Sequence, residues 1–179
     1  MIRKALPQDI PQIRNFLREF NEKWLLVPRT MADLYSQVRD YFIIHDIYGP
    51  FQIAGVAALH VCWENTGEIR SLAVHEKYQK QGMGKALLMA CLDEAWDLGL
   101  KNIFILTRIP DYFERILFAP KTTMVDVKFM SEVELKNPVE IRRFHRISRD
   151  QLPPVAWADC VGCPRFPDCD EIPMMLELY

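Results

Sequence analysis

Gln79-Lys80-Gln81-Gly82-Met83-Gly84-Lys85-Ala86 is the stretch around which the rest of the chain falls into place. The apolar run Ile69–Val74 precedes it and a helical pattern follows it, so a strand feeds a glycine-containing turn that opens a helix. A helix start leaves its first backbone N–H groups without intrahelical partners, and the macrodipole there favours an anion. Gly82 and Gly84 remove two Cβ atoms from the path of an approaching ligand. The stretch reads as a phosphate or pyrophosphate cradle; an ordinary strand-to-helix loop is the simpler alternative.

Working outward, Leu87, Leu88, Cys91, Leu92, Ala95 and Leu98 recur at helical spacing, and Gly99 is placed to end that helix. Ile103-Phe104-Ile105-Leu106 is a continuous apolar run, as expected of a strand covered on both faces. Strand, glycine turn, helix and strand make a βαβ unit, which predicts two neighbouring parallel strands. A short helix is expected from Pro110 to Ile116.

Upstream, Glu64–Gly67 reads as a hairpin loop between strands at Ile53–Cys62 and Glu68–Val74. Phe42–Ile44 reads as another strand, and Met1–Ala5 as an opening one. Thr30 with Asp33 three residues on is an N-cap pattern for a helix carrying Leu34, Val38 and Tyr41. Ile10, Ile13, Phe16, Leu17 and Phe20 define an amphipathic helix.

Downstream, Met124–Met130 alternates like a strand, and Asn137-Pro138 and Leu152-Pro153-Pro154 are breaks. Arg142–Arg146 reads as a basic surface segment. Ile172–Leu178 is a last strand, with Pro173 pointing to an edge or to a strand start.

Half of the 179 residues are hydrophobic, enough for a real core. The formal net charge of −2 argues against a nucleic-acid binder, although Lys77, Lys80 and Lys85 make a local basic patch. No run approaches the ~18 apolar residues of a membrane span. Arg3 and Lys4 are not followed by an apolar signal core, so a cytoplasmic protein is expected. The five cysteines are then thiols or metal ligands rather than a disulfide framework. Cys160-x-x-Cys163 followed by Cys169 could present three thiolates to zinc, with Asp168, Asp170, Glu171, His145 or Cys62 as a fourth ligand. The alternative is a proline-rich tail of reduced thiols pinned by Trp157 and Phe166.

These features together resemble the GCN5-related N-acetyltransferase superfamily. Its acetyl-CoA motif, Gln/Arg-x-x-Gly-x-Gly/Ala, is matched by Gln79-Lys80-Gln81-Gly82-Met83-Gly84 in the right strand–helix setting, with Leu72-Ala73-Val74-His75 before it. The chain is also similar to the acetyltransferase domain of N-acetylglutamate synthases in their short bacterial form. That resemblance rests on Leu26-Val27-Pro28-Arg29-Thr30, Ala57–His60, Gly67–Val74, Phe104–Thr107, Tyr112–Arg115 and the tail Trp157–Pro164 to Asp170-Glu171. Ile116-Leu117-Phe118 departs from the pattern, lacking the family's glycine, and Phe144–Ile147 resembles its delayed continuation. Residues 117–143 are therefore an insertion or a divergence.

The resemblance implies an α/β (α+β) fold: a mixed central sheet with helices on both faces. It implies a core over 1–144 and a C-terminal extension over 145–179. The pyrophosphate of acetyl-CoA would lie on Gln79, Lys80, Gln81, Gly82, Met83, Gly84 and Lys85. Its pantetheine arm would pair with Leu72, Ala73 and Val74 between splayed parallel strands. Glu68 would steer deprotonation of the amine and Tyr112 would protonate the leaving thiolate. Arg29 matches the arginine that holds the acceptor's α-carboxylate, and Arg70 is a second candidate for a carboxylate. The synthases' further arginine near the C-terminus has no counterpart in Ile172–Tyr179. His60 and His75 read as structural.

The activity so implied is transfer of acetyl from acetyl-CoA to a small amino acid, L-glutamate above all, as in arginine biosynthesis. A homodimer without nucleic-acid or membrane partners is expected. The rival reading is a non-catalytic acyl-CoA-binding module whose cysteine tail holds a metal or a partner.

Overall fold

A computed structural model describes residues 1–23, 26–46, 53–116, 143–157, 160, 163, 165 and 168–178. Among the described residues seven strands form one sheet: β1 (Ile2–Lys4), β2 (Tyr41–His45), β3 (Ile53–Trp63), β4 (Thr66–Val74), β5 (Asn102–Thr107), β6 (His145–Arg146) and β7 (Ile172–Glu177). Their order across the sheet is β1-β2-β3-β4-β5-β7-β6. All neighbours are antiparallel except β4 and β5, which are parallel as the βαβ reading requires.

Among the described residues four α-helices cover the two faces: α1 (Ile10–Glu22), α2 (Met31–Ser36), α3 (Met83–Asp97) and α4 (Pro110–Arg115). Ile10, Ile13, Phe16 and Leu17 of α1 pack with Leu34 of α2 on Ile43, Val56, Ala58 and Ala73. On the other face Leu87, Leu88, Cys91 and Ala95 of α3 pack with Phe113 of α4 on Ala57, Ile69, Ile103 and Ile105. The sheet is thus apolar on both faces over β3–β5, which accounts for the unbroken apolar runs in the sequence. Phe104 buries under Leu152 and Ala156, which follow the short β6.

Local chemistry sets the element ends. Thr30 caps α2 with a complete capping box: Asp33 N–H donates to Thr30 Oγ1 at 3.1 Å and Thr30 N–H to Asp33 Oδ2 at 3.1 Å. At the end of α3, Gly99 has φ +72, Leu100 N–H donates to Ala95 O and Gly99 N–H to Trp96 O, both at 2.9 Å. This left-handed reversal ejects Leu98, which is 54% exposed, and puts Leu100 in the core instead. Helical spacing alone had assigned Leu98 to the buried face.

Two other expectations change. The hairpin loop is only Glu64-Asn65, since Trp63 pairs with Thr66 and Gly67 lies inside β4. A Cβ on Gly67 would come within 2.9 Å of Leu100 Cδ1 and 3.0 Å of Leu59 Cδ1, so this glycine serves packing rather than turning. Phe144, expected in a basic surface segment, is buried edge-to-face on Phe113, with ring centroids 5.7 Å apart. Arg143, His145 and Arg146 around it are exposed. β7 lies between β5 and β6 rather than at the edge, and Pro173 sits at its start.

The strand expected at Met124–Met130, nearly all of segment 117–143 and the contact expected of Phe166 fall outside the described residues, as does the side chain of Trp157. Among the described residues no helix is long and apolar enough to cross a membrane.

Candidate active site

β4 and β5 pair over three positions only, Thr66–Asn102, Gly67–Ile103 and Glu68–Phe104. Beyond Glu68 they part, and among the described residues the backbone of Ile69–Val74 on that side has no strand partner. On the other side β4 has a bulge, because Ser71 and Leu72 together face Ala57 between the pairs Arg70–Ala58 and Ala73–Val56. Ser71 takes φ +55, an uncommon left-handed conformation for a serine. The bulge releases Ser71 and Leu72 from the β3 ladder at the place where the strands diverge.

The gap opens into a cavity of about 540 Å³. One end lies against the start of α3. Lys80 (φ +60) and Gly82 (φ +84) curl the loop, and the first helical hydrogen bond runs from Ala86 N–H to Gly82 O at 2.9 Å. The N–H groups of Gly82–Lys85 therefore precede the ladder. The loop glutamines hold it from within: Gln79 Nε2 donates to Val74 O (3.0 Å) and Gln81 Nε2 to Lys77 O (2.9 Å). Their side chains brace the turn, and Met83 turns its side chain into the core. Anion binding here would fall to the backbone and to Lys80 and Lys85.

Tyr112 of α4 closes the cavity against this helix start. A Cβ on Gly84 would lie 2.8 Å from its hydroxyl, so Gly84 makes room for the tyrosine. Burial raises the Tyr112 phenol above its usual range, which keeps it a proton donor at neutral pH.

At the other end, Glu68 and Arg70 project from β4 onto the face of α1 and α2. Arg70 is only 7% exposed. Its Nη2 donates to Gln37 Oε1 at 2.6 Å, its Nη1 is 3.5 Å from Glu68 Oε2, and Asp40 Oδ2 is 3.8 Å away. His60, opposite Glu68 on β3, places Nδ1 2.7 Å from that same Asp40 oxygen. Glu68, Arg70, Asp40 and His60 are thus one charge network beside the cavity. Arg29 lies in the loop before α2 and also lines the cavity. Thr30 holds the Asp33 carboxyl below its usual range with Arg29 and Arg70 adding to it, and burial raises the Tyr41 phenol against the pull of the same two arginines, so both guanidiniums act on one neighbourhood.

The C-terminal residues supply the opposite wall through Ala156, Cys160 and Glu171. Arg149 Nη2 fixes this segment by donating to Cys169 O (2.6 Å) and Glu171 O (3.0 Å). The Cys160 thiol is pushed up to about 11, by burial first and then by nearby Cys169 and Glu171. Cys163 N–H closes a tight turn onto Cys160 O at 2.9 Å. Among the described residues, however, no group of three or more His, Cys, Asp or Glu side chains could hold a metal ion. The zinc expectation for Cys160, Cys163 and Cys169 is therefore not supported.

Eleven of the residues singled out in the sequence line this one cavity: Arg29, Glu68, Arg70, Leu72, Ala73, Val74, Gln79, Lys80, Gly84, Tyr112 and Cys160. Gln81, Gly82, Met83 and Lys85 are not among its lining residues. Ser71, Thr107, Arg108 and Glu171 join it without having been picked out as acceptor-side residues. Thr107 and Arg108 carry the one usable signal, since they end a buried strand where open α/β sheets bind ligands.

A strand splay, a bulge and a helix-start cradle around one through-cavity define an acyl-CoA-dependent transferase type of fold. The chain belongs to the acetyltransferase (GNAT) family, whose model matches residues 10–118. It is 32% identical over 117 residues to an amino-acid acetyltransferase of Mycobacterium tuberculosis, covering 64% of this chain and 66% of that protein. It is 24% identical over 177 residues to the uncharacterized N-acetyltransferase CT2212 of Chlorobaculum tepidum, covering 99% and 96%. The fold is similar to N-acetylglutamate synthase from Neisseria gonorrhoeae complexed with coenzyme A and N-acetyl-glutamate (TM-score 0.74, 24% identity, all of this chain but 35% of that one). It is also similar to Rv2747 from M. tuberculosis in complex with CoA and NLQ (TM-score 0.70, 25% identity, covering 100% and 99%). The chain thus spans just under two thirds of the mycobacterial relative's length and about a third of the Neisseria synthase.

Proposed function

We propose that this protein transfers the acetyl group of acetyl-CoA to the amino group of L-glutamate, the acetylation with which arginine biosynthesis begins. The observation that carries the proposal is the single cavity joining an anion cradle at α3 to the Glu68–Arg70–Arg29 cluster across the β4–β5 gap. The similarity to amino-acid acetyltransferases and to a synthase bound to coenzyme A and N-acetyl-glutamate supports the same reading.

Acetyl-CoA supplies a thioester carbon activated toward an amine. The chain's own residues then divide the work. The loop Gln79–Lys85 holds the pyrophosphate, and Leu72–Val74 offer free backbone groups to the extended arm in place of a missing strand. A backbone N–H released at the Ser71–Leu72 bulge points to the thioester oxygen's place and stabilises the charge it gains. Glu68 takes the ammonium proton, directly or through water, and Arg70 with the Asp40–His60 pair fixes its carboxylate. The nitrogen attacks, the new C–N bond forms, the C–S bond breaks, and Tyr112 returns a proton to the sulfur. Arg29 grips the α-carboxylate of the acceptor. In this scheme residues 1–144 carry donor and chemistry, and 145–179 close the acceptor end.

The test is thiol release from acetyl-CoA across the amino acids. Turnover with glutamate foremost is expected; no turnover with any amino acid would leave the non-catalytic acyl-CoA module as the better reading. Arg29→Ala should raise the KM for glutamate about 30-fold, the worth of a charged pair near 2 kcal/mol, with the KM for acetyl-CoA unmoved.

A further inference from the structure

Three arginines line the cavity: Arg29 in the loop before α2, Arg70 on β4 and Arg108 one residue beyond β5. Alternation along the strand puts Arg108 on the face of Phe104 and Leu106, the face that Ala156 covers. This is also the face onto which Glu68 and Arg70 project.

Arg108 is held by one edge only. Its Nε donates to Asp170 Oδ1 at 2.6 Å, and its side chain is 24% exposed. Arg165 Nη1 binds that same Asp170 oxygen at 2.8 Å. One carboxylate is thereby shared between two guanidiniums, and the trio keeps a net positive charge. Arg108 holds the Asp170 carboxyl below its usual range, with Arg165 adding to the effect, so Asp170 stays ionised as an anchor. Among the described residues the Nη1 and Nη2 atoms of Arg108 make no hydrogen bond. Glu171, the acidic group on that wall, accepts from the Cys169 thiol at 3.7 Å. Arg70, the remaining cavity arginine, is already committed to Gln37 and Glu68.

We propose that Arg108 is a specificity-determining residue: its outer guanidinium edge receives the side-chain carboxylate of a dicarboxylic amino acid whose α-carboxylate lies on Arg29. This rests on the function proposed above and supplies the second anion site that the residues Ile172–Glu177 lack. Two guanidiniums lining one cavity select for two carboxylates and against a side chain that is uncharged, because a planar fork bonds a carboxylate in pairs. The Asp170 anchor sets the fork before the acceptor arrives, which spares part of the ordering cost.

Glutamate and glutamine differ only in the group that would meet Arg108, so they are the probes. Wild type should prefer glutamate in kcat/KM. Arg108→Gln should raise the KM for glutamate at least tenfold, hold kcat and the KM for acetyl-CoA within about twofold, and collapse the glutamate-to-glutamine ratio. Arg108→Lys should restore part of that ratio. Asp170→Asn loosens the anchor but leaves the charge, so the preference for glutamate should persist. An Arg108→Gln enzyme that loses both substrates equally, or an Asp170→Asn enzyme that matches it, makes Arg108 a structural ion pair and overturns the inference. A wild type that turns over glutamate while Arg108→Gln leaves its KM unchanged also overturns it, with the transferase reading intact. No wild-type turnover with any amino acid removes both.

Discussion

The two ends of the cavity, which the proposed function assigns to donor and acceptor, are built on different principles. The donor end is backbone: a strand that has lost its neighbour, a loop with two left-handed residues and a helix start, all within Leu72–Lys85. The other end is side chains: Arg29, Glu68, Arg70, Arg108 and Cys160, drawn from four separate places along the chain. A backbone site tolerates most substitutions around it but fails when a conformation is lost. A side-chain site fails one group at a time, and can change its ligand by changing one group. In the proposed function the donor is thus fixed by architecture and the acceptor by a few replaceable charges.

That contrast can be broken by kinetics. The largest effect is expected at the point where the two ends meet. Tyr112→Phe should lower kcat about 10²-fold, the usual scale for a lost proton donor, with both KM values nearly unchanged. Burial raises the phenol above its ordinary 10.0, so the protonated donor persists as the pH rises through neutrality. Loss of rate from this group should appear only above about pH 10 in the wild type, and a variant of full activity would remove Tyr112 from the chemistry. A donor-end change comes next. Gly82→Ala forces a Cβ into φ +84 at a cost of about 1–2 kcal/mol. It should raise the KM for acetyl-CoA roughly tenfold and spare the KM for glutamate. An equal rise in both would mean that the two ends are not separable. The smallest effect is expected at Thr30→Ala, which removes the α2 cap for about 1 kcal/mol. It should lower the melting temperature by a few degrees and weaken glutamate through the adjoining Arg29 by about threefold, leaving acetyl-CoA untouched.

The same contrast governs what the sequence can reveal. The donor end is contiguous, so its strand, glycine turn and helix can be read directly, and the parallel β4–β5 pair follows from the βαβ rule. α1 and the α2 cap are legible because hydrophobic spacing and capping chemistry are local. Leu98 misleads because Gly99 reverses the chain within one residue of it, and helical spacing contains no information about where the reversal falls. Gly67 misleads because a glycine required by packing against Leu59 and Leu100 looks the same as one required by a turn. Phe144 lies among arginines, and only its meeting with Phe113 across the fold makes it core. Arg108 and the Asp40–His60 pair belong to the acceptor neighbourhood through contacts spanning tens of residues, which no window along the chain contains.

The three-pair contact between β4 and β5 has a mechanical meaning. It is a short seam joining two plates, β1–β4 on one side and β5, β7 and β6 on the other, with the helices and their packed side chains as the other ties. In the proposed function an extended donor arm lying in the gap would act as a removable keystone, hydrogen-bonded where a strand would be. Cohesion between the plates would then rise and fall once per turnover, and amide exchange slowed along Ile69–Val74 would be a direct gauge of how much of the protein is loaded.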